Sequence, residues 1–256
     1  MRKRVWYRHG RCTGLLLLAL AAIVRPADGA LISHWRLDDG AGTVAADDAG
    51  GHDGVLSGTA TFVPGGMAGG AVSFNQGRID LPAAVVQALD AGKAFTVSMW
   101  ISPVSFGGYR TVFDTVGRQL ALWIDTPGGG WYGIGGTSNQ ALYDPAWTTG
   151  EWQHLVMTSD GTTAHTYRNG VSNSDLTPGG LAAAEWVLGY NVSGGGNYYY
   201  GLMDDVQVYD TALPPADIAF LYEHPGRTLG VVPEPGALAL QAAALAGTLR
   251  RRRRPR

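Results

Sequence analysis

Between residues 30 and 230 the apolar positions fall in short runs, each closed by Gly, Asn or Asp. Punctuation at that interval predicts strands rather than helices. The runs place strands at 31–37, 59–63, 70–74, 77–81, 94–102, 110–115, 119–124, 131–135, 152–159, 163–168, 184–189 and 198–209. The clearest alternation puts Phe95, Val97, Met99 and Ile101 on one face and Thr96, Ser98, Trp100 and Ser102 on the other. Asn169-Gly170 signals a hairpin, and Asp160-Gly161 a second turn between two strand-like runs. Helix is confined to 83–89, after Pro82, and to 214–222, opened by Pro214-Pro215. Many short strands with little helix predict an all-β fold, a two-sheet antiparallel jelly-roll sandwich with short helices. No linker divides 30–225, so it reads as one domain.

The two ends read differently. Residues 1–14 are basic and then polar, 15–24 form a ten-residue apolar run, and small residues follow at Ala27, Gly29 and Ala30. That is the order of a secretory signal peptide over 1–29. Such a run spans about 15 Å as a helix, too short for a permanent anchor. At the other end Pro233-Glu234-Pro235 precedes a second apolar stretch, 236–249, and five arginines at 250–254. The stretch predicts a short C-terminal apolar helix that anchors weakly, with the arginines on the cytoplasmic side. This segment, 226–256, resembles a PEP-CTERM sorting signal. The resemblance implies processing by an exosortase in a Gram-negative bacterium, and residence in the cell envelope or extracellular matrix after transient inner-membrane anchoring. An ordinary single-span tail is the alternative, and both readings place the domain outside the cytoplasmic membrane.

Composition sharpens this picture. The 38 Gly and 13 Pro among 256 residues suit a turn-rich fold, and 45% hydrophobic residues suffice for a core. The only cysteine, Cys12, precedes the leader's apolar run, so the mature chain is expected to hold no disulfide and no thiolate metal site. The formal net charge of −2 hides a segregation: 30–230 carries 7 basic and 19 acidic residues, the remaining arginines and Lys3 lying at the ends. An acidic body argues against nucleic-acid binding. It suits a domain that holds cations.

The middle of the chain is similar to laminin G-like domains of the concanavalin A-like lectin/glucanase superfamily. Leu31-Ile32-Ser33-His34-Trp35-Arg36-Leu37-Asp38-Asp39-Gly40 resembles the opening strand and acidic turn, and Gly69-Gly70-Ala71-Val72-Ser73-Phe74 the second block. Phe95–Ile101 and Trp152–Val156 resemble two central strands, and Tyr167–Gly170 the hairpin. Gly201-Leu202-Met203-Asp204-Asp205-Val206-Gln207-Val208-Tyr209 resembles the closing strand. The resemblance implies a two-sheet sandwich, frequent Ca²⁺ binding, and adhesion or glycan recognition more often than catalysis.

Candidate chemistry is sparse. Strand parity groups Asp204 with Leu202, Val206 and Val208, which predicts an inward, buried carboxylate. Such a group needs donors or a cation. Asp38, Asp48 and Asp204 are therefore candidate Ca²⁺ ligands, with a capped, metal-free Asp204 as the alternative. Trp131, Tyr132, Tyr198, Tyr199 and Tyr200 border glycine-rich segments and are candidates for stacking on sugar rings, the alternative being core rims. No paired-carboxylate run, zinc motif or nucleophile elbow occurs. The expectation is a non-enzymatic binding or adhesion module for a polysaccharide or cell-surface glycan. A structural matrix protein without a ligand and a glycan-active enzyme remain the alternatives.

Overall fold

The computed structural model describes residues 29–92, 94–126, 129–142, 147–182 and 185–229. The signal-peptide reading through residue 28, the Pro233-Glu234-Pro235 motif, the C-terminal apolar stretch and the arginine cluster lie outside the described residues. Among the described residues no helix is long and apolar enough to cross a membrane.

The described chain forms, in order, β1 (Leu31–Trp35), β2 (Val44–Ala45), β3 (Gly54–Ser57), β4 (Thr61–Gly66), β5 (Gly69–Asn75), β6 (Arg78–Leu81), α1 (Ala83–Gly92), β7 (Phe95–Pro103) and β8 (Arg110–Thr115). There follow β9 (Leu120–Thr126), β10 (Gly129–Ile134), β11 (Thr137–Leu142), β12 (Gln153–Ser159), β13 (Ala164–Arg168), β14 (Val171–Leu176), β15 (Trp186–Leu188), β16 (Tyr200–Tyr209) and α2 (Pro215–Glu223). One sheet runs β14-β13-β12-β7-β16-β5-β4, with β1 also beside β16; the other runs β11-β10-β9-β8-β15-β6-β3-β2. The named strands pair antiparallel throughout. Two antiparallel sheets with few helices agree with the expected jelly-roll sandwich.

The alternation in β7 sets the middle of the first sheet. Phe95, Val97, Met99 and Ile101 enter the core between the sheets, beside Trp35, Phe74, Phe113 and Trp186. Trp186 receives Trp35 and Phe113 edge-on, with ring centroids 6.1 Å and 5.8 Å away. The polar face of β7 is also buried, because α2 and the segment before it lie across it. Thr96 Oγ1 donates to the Thr211 carbonyl and accepts from Leu213 N–H. Trp100, His154 and Tyr222 pack against one another in a three-ring cluster, with centroids 5.0 Å to 6.1 Å apart. A second small core forms there from Val156, Tyr167, Tyr209, Leu213, Ile218 and Leu221. The hairpin at Asn169-Gly170 stands as expected, with both residues at positive φ, 50° and 77°.

Strands β2, β3, β11 and β14 were not expected. Each is a short or polar strand at or near a sheet edge, with too few apolar residues to mark a periodicity. Asp204 is buried, as its strand parity predicts, but its neighbour Asp205 does not face outward as strict alternation requires. Asp205 has a φ of 49° and the ladder to β7 skips between Asp204 and Gln207, so both acids are buried. A bulge breaks the period of two on which the parity depended.

The segment after β1 is organised by Asp47, whose side chain is fully buried. Its carboxylate accepts from the backbone N–H groups of His34 (2.8 Å), Ala49 (3.0 Å) and His52 (2.9 Å). Burial pushes this carboxyl up, but the amides of His34, Ala49, His52 and Gly50 outweigh it and hold the group at about 2. The ionised form therefore stabilises the fold above about pH 4, and that contribution fades as pH falls toward 2. Asp47→Ala strands three amides and should cost about 3 kcal/mol in urea denaturation at pH 7. The gap to wild type should narrow between pH 4 and pH 2; a gap constant to pH 2 would mean that the charge is not what holds the loop.

Candidate functional site

Strands β9 and β10 each send one face inward. Leu120, Leu122, Ile124, Tyr132 and Ile134 point into the core. The opposite parity carries Trp123 and Trp131, which stand directly across from each other in the β9–β10 register. Cross-strand neighbours of this kind have their Cβ atoms about 5 Å apart, so the two indoles form one apolar surface. They floor a cleft of about 230 Å³ lined also by Tyr109, Arg118, Ser138, Asn191 and Asn197. Trp123 is itself buried, at 8% exposure, whereas Trp131 is half-buried and Tyr109 is 49% exposed, so the aromatic surface open to a ligand comes from Trp131 and Tyr109.

One wall is the loop from Gly189 to Tyr198, and its shape is fixed by its own hydrogen bonds. Asn191 is buried, and its Oδ1 accepts from Gly194 N–H at 2.7 Å. Its backbone N–H donates to the Gly196 carbonyl, and Gly195 N–H returns to the Asn191 carbonyl. Gly195 and Gly196 sit at φ of 70° and 89°, which side chains seldom adopt, so the glycine run serves the loop's curvature. Ser193 fastens the loop to the β8–β9 turn. Its hydroxyl donates to the Thr115 carbonyl and accepts from Arg118 N–H, while its own N–H donates to Asp114. Asp114 is fully buried, and burial pushes its carboxyl up to about 6 against the opposing bonds from Ser193 and Thr115 and the charge of Arg118.

The turn itself is unusual. Gly117 and Arg118 are both at positive φ, 75° and 56°. A non-glycine residue there costs on the order of 1 kcal/mol. The Arg118 guanidinium lies over the Trp123 ring, 5.5 Å from its centroid.

Of the aromatic candidates, the structure brings only Trp131 into this cleft. Tyr132 has no exposed surface; its ring belongs to the core and its hydroxyl meets Ser174 Oγ at 3.3 Å. Tyr199 is likewise fully buried, edge-on to Phe74, with its hydroxyl donating to the Leu202 carbonyl. Both are corrected from ligand contacts to core residues. A tyrosine at a strand position carries enough apolar area to be drawn inward once its hydroxyl finds a partner. Tyr198 and Tyr200 are half-buried on the loop's flank. Tyr198 leans on Tyr190 at 4.9 Å, and Arg110 covers Tyr200 at 4.7 Å. Trp123, Tyr109, Arg118, Asn191 and Asn197 were missed. The signal for Trp123 was present: an indole at the polar parity of Leu120–Asp125, between Leu122 and Ile124.

The proposed metal ligands do not all converge. Among the described residues no group of three or more His, Cys, Asp or Glu side chains stands together. Asp48 is exposed beside Arg36, which also contacts Asp38 at 3.3 Å. Asp38 and Asp204 both bond to the β4–β5 hairpin. Asp38 accepts from Gly70 N–H and Asp204 from Ala68 N–H. A methyl group on Gly69 would touch the Asp38 carboxylate, and one on Gly66 would touch Asp204. Asp204 Oδ1 is buried with no hydrogen-bond partner. Burial first, then the neighbouring charges of Asp205 and Asp38, pushes the Asp204 carboxyl up to about 7 despite the Ala68 amide. Asp38 and Asp204, the latter with an unpartnered carboxylate oxygen beside a glycine-lined turn, are the oxygen donors that a hard cation would use here.

A two-sheet sandwich with an aromatic cleft on one sheet face is the architecture of a lectin-like domain. The chain belongs to the Laminin_G_3 family of the concanavalin A-like lectin/glucanases superfamily, whose model matches residues 69–219. No curated protein matches the sequence. Among solved structures it is similar to domain 4 of AbnA, a GH43 extracellular arabinanase from Geobacillus stearothermophilus in complex with arabinotriose. That likeness has a TM-score of 0.63 and 23% identity over 76% of this chain and 99% of that one. It is also similar to Trypanosoma rangeli sialidase (TM-score 0.60, 16% identity, 75% of this chain, 32% of that one). The botulinum neurotoxin serotype D binding domain is a third (TM-score 0.57, 14% identity, 76% of this chain, 51% of that one). At these identities the likeness is one of fold.

Proposed function

We propose that this domain binds a glycan in the Trp123–Trp131 cleft and does not cleave it. The observation that carries the reading is the half-buried Trp131, backed across the strands by the buried Trp123, in a cleft whose walls offer amide and guanidinium donors. Flat apolar rings accept the faces of sugars, and fixed polar groups at the rim set orientation. The family, and the arabinanase domain seen with arabinotriose, support the same reading. Binding without hydrolysis is favoured because glycoside cleavage needs two carboxyls flanking the bond, and the described lining presents none. Trp131→Ala should weaken binding of the best oligosaccharide on a glycan array about tenfold or more, roughly 1.4 kcal/mol, with the circular dichroism spectrum unchanged. Equal binding by the variant would move the site elsewhere. An array with no hits would favour a structural matrix role, and release of reducing sugar by the purified domain would make it an enzyme.

Calcium at Asp38 and Asp204 is the second part of the proposal. The ion would neutralise the buried carboxylates and tie the β4–β5 hairpin to the chain after β1. Ligand at 100 times its dissociation constant adds about 2.7 kcal/mol of stability. Melting should therefore shift upward from EDTA to excess Ca²⁺. Asp204→Asn should abolish that shift while leaving the EDTA melting point equal or higher, because an ionised Asp204 without a cation is a burden to the fold near neutral pH. Superimposable wild-type curves in EDTA and Ca²⁺ would remove the ion from the reading.

Export completes it. The leader over 1–29 and the Pro233-Glu234-Pro235, apolar, arginine sequence support secretion, exosortase processing and delivery to the envelope or matrix. Intact-mass analysis from the native host should find both ends removed; a full-length main species would contradict this.

A further inference from the structure

The domain is poor in positive charge: 7 basic residues stand against 19 acidic ones between 30 and 230. Their placement is uneven. Arg36 is held by Asp38 and Asp48, and Arg168 lies buried over Trp147. Three of the others gather around one loop, Gly189–Tyr200, on the face that carries the cleft. Arg78 lies over Tyr190, Arg110 over Tyr200 and Arg118 over Trp123. Arg78 is neutralised by Asp80 at 2.9 Å. Neither Arg110 nor Arg118 has a carboxylate within ion-pair distance among the described residues. The Nε of Arg110 is buried without a hydrogen-bond partner.

Arg118 is the one charged group in the described lining of the cleft. Two features say that its side chain is wanted there. The turn holds it at a φ of 56°, a conformation glycine would adopt without strain. Its guanidinium rests on the indole that floors the cleft, so the charge is fixed over the sugar platform rather than free in solvent. A guanidinium offers a planar fork of donors that matches a carboxylate or sulfate better than a hydroxyl. Asp114 is buried beneath the loop and bonded to Ser193, and it makes no ion pair with the guanidinium.

We propose that the cleft selects an acidic sugar, its anionic group seated on Arg118 while the ring faces Trp131. The proposal rests on the glycan-binding reading and narrows it to a chemical class: a uronate or sulfate-ester unit of a polysaccharide. Long-range repulsion from the acidic body opposes a polyanion, and the local cluster of guanidiniums on this one face is what offsets it.

The test is calorimetric titration of the exported form with an oligogalacturonate, its methyl ester, a sulfated galactan oligomer and the matching neutral galactan oligomer. Each charged ligand and its neutral counterpart differ chiefly in charge. Tighter binding of one or both charged members, by about tenfold over the neutral partner, and loss of that preference in Arg118→Gln would support the inference. A preference for the oligogalacturonate alone would assign a carboxylate, and for the sulfated oligomer alone a sulfate ester. Partial rescue by Arg118→Lys would separate charge from fork geometry. If the neutral members bind as well as the charged ones, or if Arg118→Gln keeps the preference, the inference fails while glycan binding stands. If none of the four binds but neutral sugars on the array do, the acidic class is wrong. If no sugar binds at all, the underlying reading falls with it. Arg118 is an exposed turn residue, so an unchanged melting curve of the variants confirms that binding, not folding, is being read.

Discussion

Two consecutive buried carboxylates in β16 are the constraint around which the first sheet is arranged. Up to Met203, β16 pairs with β5; from Val206 onward it pairs with β1. Asp204 and Asp205 occupy the change of partner, where the ladder opens. Asp205 Oδ1 accepts from His34 Nε2 and Gln207 Nε2, and Oδ2 accepts from Gly226 N–H. Burial pushes its carboxyl up, but bonds from His34, Gln207 and Gly226 outweigh that and hold it below the usual range. A buried charge is tolerable only when so completely bonded. Through it, β1, β16 and the segment after α2 share one anchor. Asp204 next door is less completely bonded: it accepts from Ala68 N–H, and its Oδ1 is buried without a hydrogen-bond partner.

The two outer faces of the sandwich have different fates. On the first sheet, α2 and its flanking segments cover the outward side of β7 and β12, and stacking of Trp100, His154 and Tyr222 seals it. Among the described residues the second sheet has no helix over β9 and β10. The Gly189–Tyr198 loop, through Asn191 and Asn197, and Tyr109 line the cleft beside Trp123 and Trp131. Trp131 is thereby left half-buried on this face, across from the buried Trp123.

Much of the first sheet was legible in the sequence because its strands alternate strongly. β7 reads inward and outward by composition, and the Asn169-Gly170 turn fixes the next hairpin. The polar edges β11 and β14 were not legible, because they borrow their order from neighbouring strands rather than from their own apolar residues. The site was legible only in part. Trp131 was picked out for its glycine-rich surroundings, while Trp123 was hidden among the apolar residues of β9. Tyr132 and Tyr199 misled because a tyrosine is equally at home in a core and at a binding surface, and local sequence does not say which. The role of Arg118 depends on backbone conformation and on a loop some seventy residues away, neither of which a linear reading contains.

The hydrogen bonds at the edge of β1 have a mechanical consequence. Ala30 N–H donates to Asp210 Oδ1 and the Ala30 carbonyl accepts from Asp210 N–H, while Leu229 N–H reaches the Tyr209 hydroxyl. The first and last described residues thus leave the domain from adjacent points. A module built this way can be spliced into a surface loop of a host protein with little stretching of either connection. Tension applied between its two ends loads β1 and the closing segment first, and leaves the sheet that bears the cleft unstrained.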